Sequence, residues 1–283
     1  MIADGVVLES ARIRVRVGED ASCRVEALVG GGWRSPCPLE DPTGSRRPVH
    51  FPVLDGVPIV AFRLRPGSVR REAVETPFGT VDRSTLEAVD AASWTEPVTL
   101  ALSIDVSPDF PTTALIRSRF SIEGPAEVPV TEIAANNLVL DARRVGGETP
   151  FDMWVYNGSA ELREHCLQAL TPGYAKRNYL GVLESHDGGG HQPGYRHGSQ
   201  PGFGGGTPVV AAWSRGLGVA VGHVEPSFRR CSLPVEMHDG RAVSLSVVEH
   251  RRDRLSAASP MQSLESFVTL YEGDFYGALD TYR

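Results

Sequence analysis

Apolar and polar residues alternate along most of this chain, and the period of two residues is that of half-buried β-strands. In residues 11–17, apolar side chains alternate with arginines, so one face of this strand would be buried. Similar patterns predict further strands at residues 23–29, 57–64, 68–75, 84–91, 98–106, 113–124, 131–142, 208–214, 217–225, 242–250 and 264–272. Short turns between neighbours favour antiparallel pairing, and the lack of strand–helix alternation argues against doubly wound or (β/α)8 folds. The pattern therefore predicts an all-β fold.

Two segments depart from the strand pattern and are predicted to be helices. Residues 160–170 are rich in helix-forming side chains and lie between a capping serine and a Thr-Pro-Gly stop. Near the end of the chain Asp274 is a candidate N-cap, and Phe275, Leu279 and Tyr282 recur at the spacing of one helix face. This helix reaches the end of the sequence without a capping glycine, and we expect a longer protein to continue beyond it.

Composition and charge narrow the class of protein. The chain has 283 residues with 30 glycines and 21 prolines, an excess that suits many short strands joined by turns. The formal net charge of −7 argues against nucleic-acid binding, because nucleic-acid-binding proteins carry a basic surface. No segment is apolar enough to span a membrane and no secretory signal is visible, so a cytoplasmic location is expected. The four cysteines are far apart and are expected to be free thiols.

Three passages of the chain carry a resemblance to a known family. In residues 204–236 a glycine-rich approach leads to a strand ending in Trp213, then to a tight turn, a Gly-x-Ala-x-Gly strand and Leu-Pro-Val. Residues 113–142 form a predicted strand pair that ends in Asn-Asn-Leu-Val-Leu, and residues 270–283 lead from a strand into the terminal helix. Together they resemble the N-terminal domain of glycoside hydrolase family 36 enzymes, the alpha-galactosidases (melibiases) and their raffinose-synthase-like relatives.

This resemblance implies a β-supersandwich of the galactose-mutarotase type, with two large antiparallel sheets and a short C-terminal helix, formed by residues 1–283 as a single domain. In the family the two catalytic aspartates lie on a (β/α)8 barrel that follows this domain, so no catalytic residue is expected in this chain. The chain is then expected to be inactive alone and to use no cofactor. Its implied partners are the barrel, other subunits of the parent enzyme in a homo-oligomer, and a carbohydrate.

The glycine-rich segment 184–207 is a candidate for contact with a sugar, because a backbone rich in glycine can approach a ligand closely. His186, Asp187 and His191 carry groups that hydrogen-bond to sugar hydroxyls, at the rim of a neighbouring site. Zinc binding by the same residues is disfavoured, because the intervening glycines hold no fixed face, and no metal site is predicted. A surface loop without a ligand is the other interpretation.

His223 and Glu225 are two residues apart on a predicted strand, so their side chains would share one face. Such a pair suits general acid/base chemistry on a sugar. Trp213 offers an aromatic face for a pyranose ring, although packing in the core is the simpler interpretation. These residues support an alternative hypothesis, in which the chain is a stand-alone aldose 1-epimerase (mutarotase) or a carbohydrate-binding protein.

Overall fold

The computed structural model describes residues 6–38, 47–77, 79–146, 153–158, 166–180, 206–214, 216–226 and 229–282. The first eleven strands are β1 (Val6–Glu9), β2 (Ile13–Val17), β3 (Cys23–Val29), β4 (Gly32–Arg34), β5 (Phe51–Leu54), β6 (Val57–Pro58), β7 (Arg63–Leu64), β8 (Arg70–Thr76), β9 (Gly79–Asp90), β10 (Val98–Val106) and β11 (Thr113–Ile122). The others are β12 (Val128–Asp141), β13 (Trp154–Tyr156), β14 (Leu167–Ala169), β15 (Ala175–Leu180), β16 (Val209–Trp213), β17 (Gly218–His223), β18 (Cys231–His238), β19 (Ala242–His250), β20 (Arg254–Leu255), β21 (Met261–Gln262) and β22 (Ser266–Tyr271). The helices are α1 (Ala142–Gly146) and α2 (Phe275–Tyr282).

Within the described residues these strands form three sheets with antiparallel pairing. The largest has 11 strands, in the order β14-β13-β16-β17-β22-β11-β10-β9-β7, with β21 paired to β11 and β8 to β9. The second has 7 strands, in the order β15-β18-β19-β12-β5-β6, with β20 paired to β12. A small sheet has the order β1-β2-β3-β4. Two large antiparallel sheets and a short C-terminal helix confirm the predicted all-β sandwich.

The alternation seen in the sequence buries the core between the large sheets. In β10, Val98, Leu100, Leu102 and Ile104 are buried, while Ala101 between them lies on the opposite face and is partly exposed. The same period of two applies in β2 of the small sheet, and its buried residues join the same core cluster. Because a strand turns successive side chains to opposite faces, this pattern leaves every second residue available on the outer face of the sheet.

Buried polar contacts connect the two large sheets. His50, which precedes β5, has Nδ1 2.9 Å from Ser118 Oγ of β11 and Nε2 3.2 Å from Ser266 Oγ of β22. Asn136 of β12 donates a hydrogen bond of 2.6 Å from Nδ2 to the carbonyl oxygen of Phe267 in β22. Because polar groups inside a protein need hydrogen-bond partners, these contacts favour one relative placement of the two sheets.

The C-terminal helix is confirmed as predicted. The Oδ1 atom of Asp274 accepts a hydrogen bond of 3.0 Å from the backbone N–H of Tyr276, as an N-cap does. Phe275 and Leu279 pack with the buried Ala278 on an apolar cluster of the eleven-stranded sheet. No helix in the described part of the chain is long and apolar enough to cross a membrane.

The helix predicted for residues 160–170 is wrong for residues 167–169, although Cys166 just before them is helical. Residues Leu167–Ala169 form strand β14, which pairs with β13 at the edge of the largest sheet, and residues 160–165 lie outside the described residues. Leu167 also packs on the apolar cluster beneath α2. Pairing and burial outweigh helix propensity here, because propensity differences amount to less than about 1 kcal/mol per residue.

Candidate functional site

The outer face of the eleven-stranded sheet carries a groove above β10. On this face β10 presents the short side chains of Ala101 and Ser103. Thr85 of β9 and Arg117 of β11 lie opposite Ser103, and Arg119 of β11 lies opposite Ala101. The short residues form the floor and the longer ones the walls of a groove of about 340 Å³. The groove thus follows from the residue sizes at alternate positions of three neighbouring strands.

A compact ion cluster lies at one end of this groove. Arg83 donates two hydrogen bonds of 2.7 Å, one to each carboxylate oxygen of Asp105, and Arg117 donates another of 2.8 Å to Oδ2. The side chain of Asp105 is only 2% exposed, and a carboxylate so deeply buried requires such partners. Hydrogen bonding to Asp105 raises the pKa of Arg83. The bidentate contact holds the Arg83 guanidinium group in one orientation.

One further carboxylate, that of Glu265, extends the cluster. The Oε1 atom of Glu265 lies 3.7 Å from Nε of Arg117. Burial raises the pKa of Glu265; the Arg117 charge opposes this shift, while the negative charges of Asp105 and Glu225 add to it. Carboxylates with raised pKa values in a cleft are candidates for ligand contact. The ion cluster is therefore a candidate for contact with a polar ligand.

An apolar pocket lies on the other side of Asp105, between the end of α2 and the sheet. Its volume is about 240 Å³, and its walls include Phe110, Leu115, Phe267 and Tyr282. Phe110 is 42% exposed and Tyr282 is 39% exposed, so the pocket opens to the surface. The outer face thus has a polar groove and an apolar pocket side by side, with the ion cluster between them.

Trp213 lies in β16 beneath α2, and its side chain is buried. Its ring lies 6.0 Å from the ring of Phe275, between centroids, and Tyr156 belongs to the same apolar cluster. In this position the indole packs against the helix. Stacking on a sugar, which remains a prediction for Trp213, would require α2 to move away.

Strand β17 ends at His223, and Glu225 lies two residues beyond this end. The ring of His223 points between the large sheets, with Nε2 3.5 Å from Sγ of Cys231 in β18. Burial lowers the pKa of His223 to about 4, and the negative charge of Glu225 opposes this shift. The same charge contributes to the raised pKa of Glu265 in the ion cluster. This geometry does not favour the mutarotase alternative. Contact of either residue with a sugar remains a prediction.

His186, Asp187 and His191 lie outside the described residues, so their role at the rim of a sugar site also remains a prediction. In the part of the chain that the structure describes, no group of three or more His, Cys, Asp or Glu side chains is placed to hold a metal ion. All four cysteines are free, and Cys23, Cys37 and Cys231 are buried.

Comparison with known proteins identifies the fold. No protein-family model matches the chain, and no curated protein matches its sequence. Among solved structures, the alpha-galactosidase from Lactobacillus brevis matches 98% of this chain, with a TM-score of 0.58 and 11% sequence identity. The chain has the fold of one part of this enzyme.

Two further glycosidases share this alpha-galactosidase-type fold. The GH36 alpha-galactosidase AgaA from Geobacillus stearothermophilus matches 98% of the chain with a TM-score of 0.58 and 11% identity. The alpha-N-acetylgalactosaminidase NagBb from Bifidobacterium bifidum matches 98% with a TM-score of 0.53 and 12% identity. The chain spans 40%, 42% and 38% of the lengths of the three proteins, respectively. The predicted resemblance to family 36 is thus confirmed for the fold.

The cluster of Arg83, Asp105 and Arg117 was missed by sequence reasoning. One signal was present, because Asp105 is a charged residue within the otherwise apolar and small run of residues 98–106. The two arginines lie 22 and 12 residues away from Asp105 along the chain, on different strands. Only the pairing register of β9, β10 and β11 brings the three side chains together.

Proposed function

We propose that this chain is a non-catalytic β-sandwich of an alpha-galactosidase-like glycosidase, and that it packs on a catalytic (β/α)8 barrel. The observation that carries the proposal is the coverage: the solved enzymes match 98% of this chain, while the chain spans only 40% to 42% of them.

The surface around α2 is the face that we assign to this packing. Tyr276 is 63% exposed, and the apolar pocket with Phe110 and Tyr282 opens nearby. The ring of Tyr276 lies 4.3 Å from that of Phe275, between centroids, which holds it in place although it is exposed. Exposed apolar patches of this kind mark surfaces where proteins interact.

An activity assay with an aryl alpha-galactoside tests the non-catalytic role. We expect the purified chain, with its folding verified by circular dichroism, to give no turnover above that of a heat-denatured sample. An authentic alpha-galactosidase serves as the positive control. Turnover by the folded chain would contradict the proposal, and acceleration of sugar anomer interconversion, followed by polarimetry, would support the mutarotase alternative instead.

The proposal extends to a cytoplasmic location and to a homo-oligomer in which residues 184–207 contact a sugar. Four free cysteines support a reducing compartment. Light scattering coupled to size-exclusion chromatography tests the oligomer: we expect a mass above that of one chain. A monomeric mass for the unaltered chain at all concentrations would contradict it.

A further inference from the structure

The groove above β10 has features of a ligand site that the proposed function does not use. Its volume of about 340 Å³ lies within the range of small-molecule sites, about 300–1,000 Å³. Most such sites are apolar, but this groove is lined largely by charged, hydroxyl and amide side chains: Arg117, Arg119, Thr85 and Gln262, and the carboxylate of Glu72, which lies beside Arg83 at the end away from Arg119. Such a lining suits a ligand that is itself polar.

One positive charge in the groove has no counter-ion. Arg83 and Arg117 are paired with Asp105, but Arg119 forms no hydrogen bond or ion pair with any residue that the structure describes. Its side chain is exposed on β11, in a chain whose net charge is −7. A guanidinium group matches the geometry of a carboxylate or a phosphate, which it can bind through two parallel hydrogen bonds.

A second observation concerns the floor of the groove. The Oγ atom of Ser103 is buried there and has no hydrogen-bond partner among the described residues. This atom has almost no accessible surface, so a polar ligand would reach it only by displacing a wall side chain, and would then give the unpaired hydroxyl a partner. Thr85 and Gln262 on the walls can donate hydrogen bonds to ligand hydroxyls and accept hydrogen bonds from them.

We propose that this groove binds a small sugar that carries an acidic group. Arg119, with the remaining N–H groups of Arg117, holds the carboxylate or phosphate, and the polar side chains of floor and walls contact the sugar hydroxyls. The Asp105 carboxylate positions Arg117 through the hydrogen bond of 2.8 Å. The choice of a sugar as the ligand rests on the proposed function, whereas the groove and its charges lie within this chain.

Calorimetric titration of the full chain with galacturonate, galactose 6-phosphate and galactose tests the proposal. At least one of the two acidic sugars should bind, with an affinity that falls as salt is added. Galactose should bind at least about tenfold more weakly, because it lacks the group that pairs with Arg119. Binding of one acidic sugar and not the other identifies the acidic group as carboxylate or phosphate.

Two variants, each of which removes one positive charge, distinguish specific binding in the groove from general electrostatic attraction of the acidic sugar to the protein. Arg119→Ala should weaken binding of the acidic sugar by about tenfold. Arg34→Ala is the matched control, because Arg34 is an exposed arginine of the small sheet, and it should leave the affinity unchanged. Both side chains are exposed, so both variants should keep the melting temperature of the parent chain.

Four outcomes would overturn the proposal. These are no binding of either acidic sugar, equal affinity for galactose, equal affinity for inorganic phosphate, and equal losses in Arg119→Ala and Arg34→Ala. None of them depends on turnover of an aryl alpha-galactoside, so this test and the test of the proposed function can fail separately.

Discussion

His50 and His223 are buried inside the sandwich, and burial lowers the pKa of each to about 4. The nearby Asn136 side chain opposes this shift at His50, and the charge of Glu225 opposes it at His223. In the unfolded chain a histidine has a pKa of about 6.5. Below that pH the unfolded state binds more protons than the folded state, so protonation favours unfolding. The stability contribution of the neutral rings is present above the unfolded pKa and is lost as the pH falls towards the folded pKa.

We therefore expect the free energy of unfolding to fall between about pH 6.5 and pH 4, by at most about 1.4 kcal/mol per pH unit for each histidine. Urea denaturation at a series of pH values measures this slope. His50→Gln, which keeps a hydrogen-bonding side chain without the titration, should have a shallower slope than the parent chain. The comparison also removes the contribution of carboxylates that titrate in the same range. Equal slopes in the two proteins would contradict the assignment of His50.

At the scale of elements, the Gly-x-Ala-x-Gly motif of β17 allows aromatic side chains to pack closely on this strand. Its glycines lie on the face that β22 and α2 cover: a Cβ on Gly218 would lie 2.2 Å from the Tyr271 ring, and one on Gly222 would lie 2.7 Å from the Phe267 ring. The aromatic rings of β22 therefore lie across β17 where any larger residue would displace them. The Gly-x-Ala-x-Gly pattern thus explains how Tyr271 and α2 come close to the sheet.

Gly218→Ala should lower the free energy of unfolding by about 1–3 kcal/mol, because the added methyl group has to displace the Tyr271 ring from a packed cluster. Thermal or urea denaturation measures the change. Gly216→Ala is the matched control, since no atom lies within 4 Å of a Cβ at that position. Comparable losses in the two variants would show that backbone flexibility, rather than the contact with Tyr271, determines the cost.

At the scale of the whole molecule, the sandwich buries apolar residues in two places. One cluster lies between the large sheets. The other lies on the outer face of the eleven-stranded sheet, where Phe275 and Leu279 of α2 pack near Tyr156 and Trp213. A sheet that is apolar on both faces needs a cover on the outer face as well. Helix α2 provides part of this cover, and the apolar pocket beside Tyr282 remains open.

A chain that ends at Glu272 should fold its sheets but expose the cluster beneath α2. We expect stronger binding of an apolar fluorescent dye and a red shift in the summed emission of the four tryptophans, because water reaches the indole of Trp213. Tyr276→Ser is the matched control, since this exposed side chain can be shortened without removing the helix. Unchanged dye binding and emission after truncation would show that α2 does not cover the cluster.

Much of the fold could be predicted from the sequence, but little of the candidate site could. The alternation in β10 predicted a buried face correctly, and the N-cap at Asp274 predicted α2. The pattern around His223 did not reveal that the strand ends there with the ring inside the sandwich. Strand ends and strand pairing depend on distant segments, which a local pattern does not contain.

The sequence by itself determined the alternation of buried and outward residues in strands such as β2 and β10, and it determined that the chain forms antiparallel sheets with a terminal helix, because these properties depend on neighbours within a few residues. The tertiary structure decided which outer-face residues meet. Asp105 pairs with Arg83 and Arg117 because the register of β9, β10 and β11 aligns them. It also decided that Leu167–Ala169 are a strand, because an open sheet edge was available to pair with them. Register is a long-range property, set by the burial and packing of whole sheets.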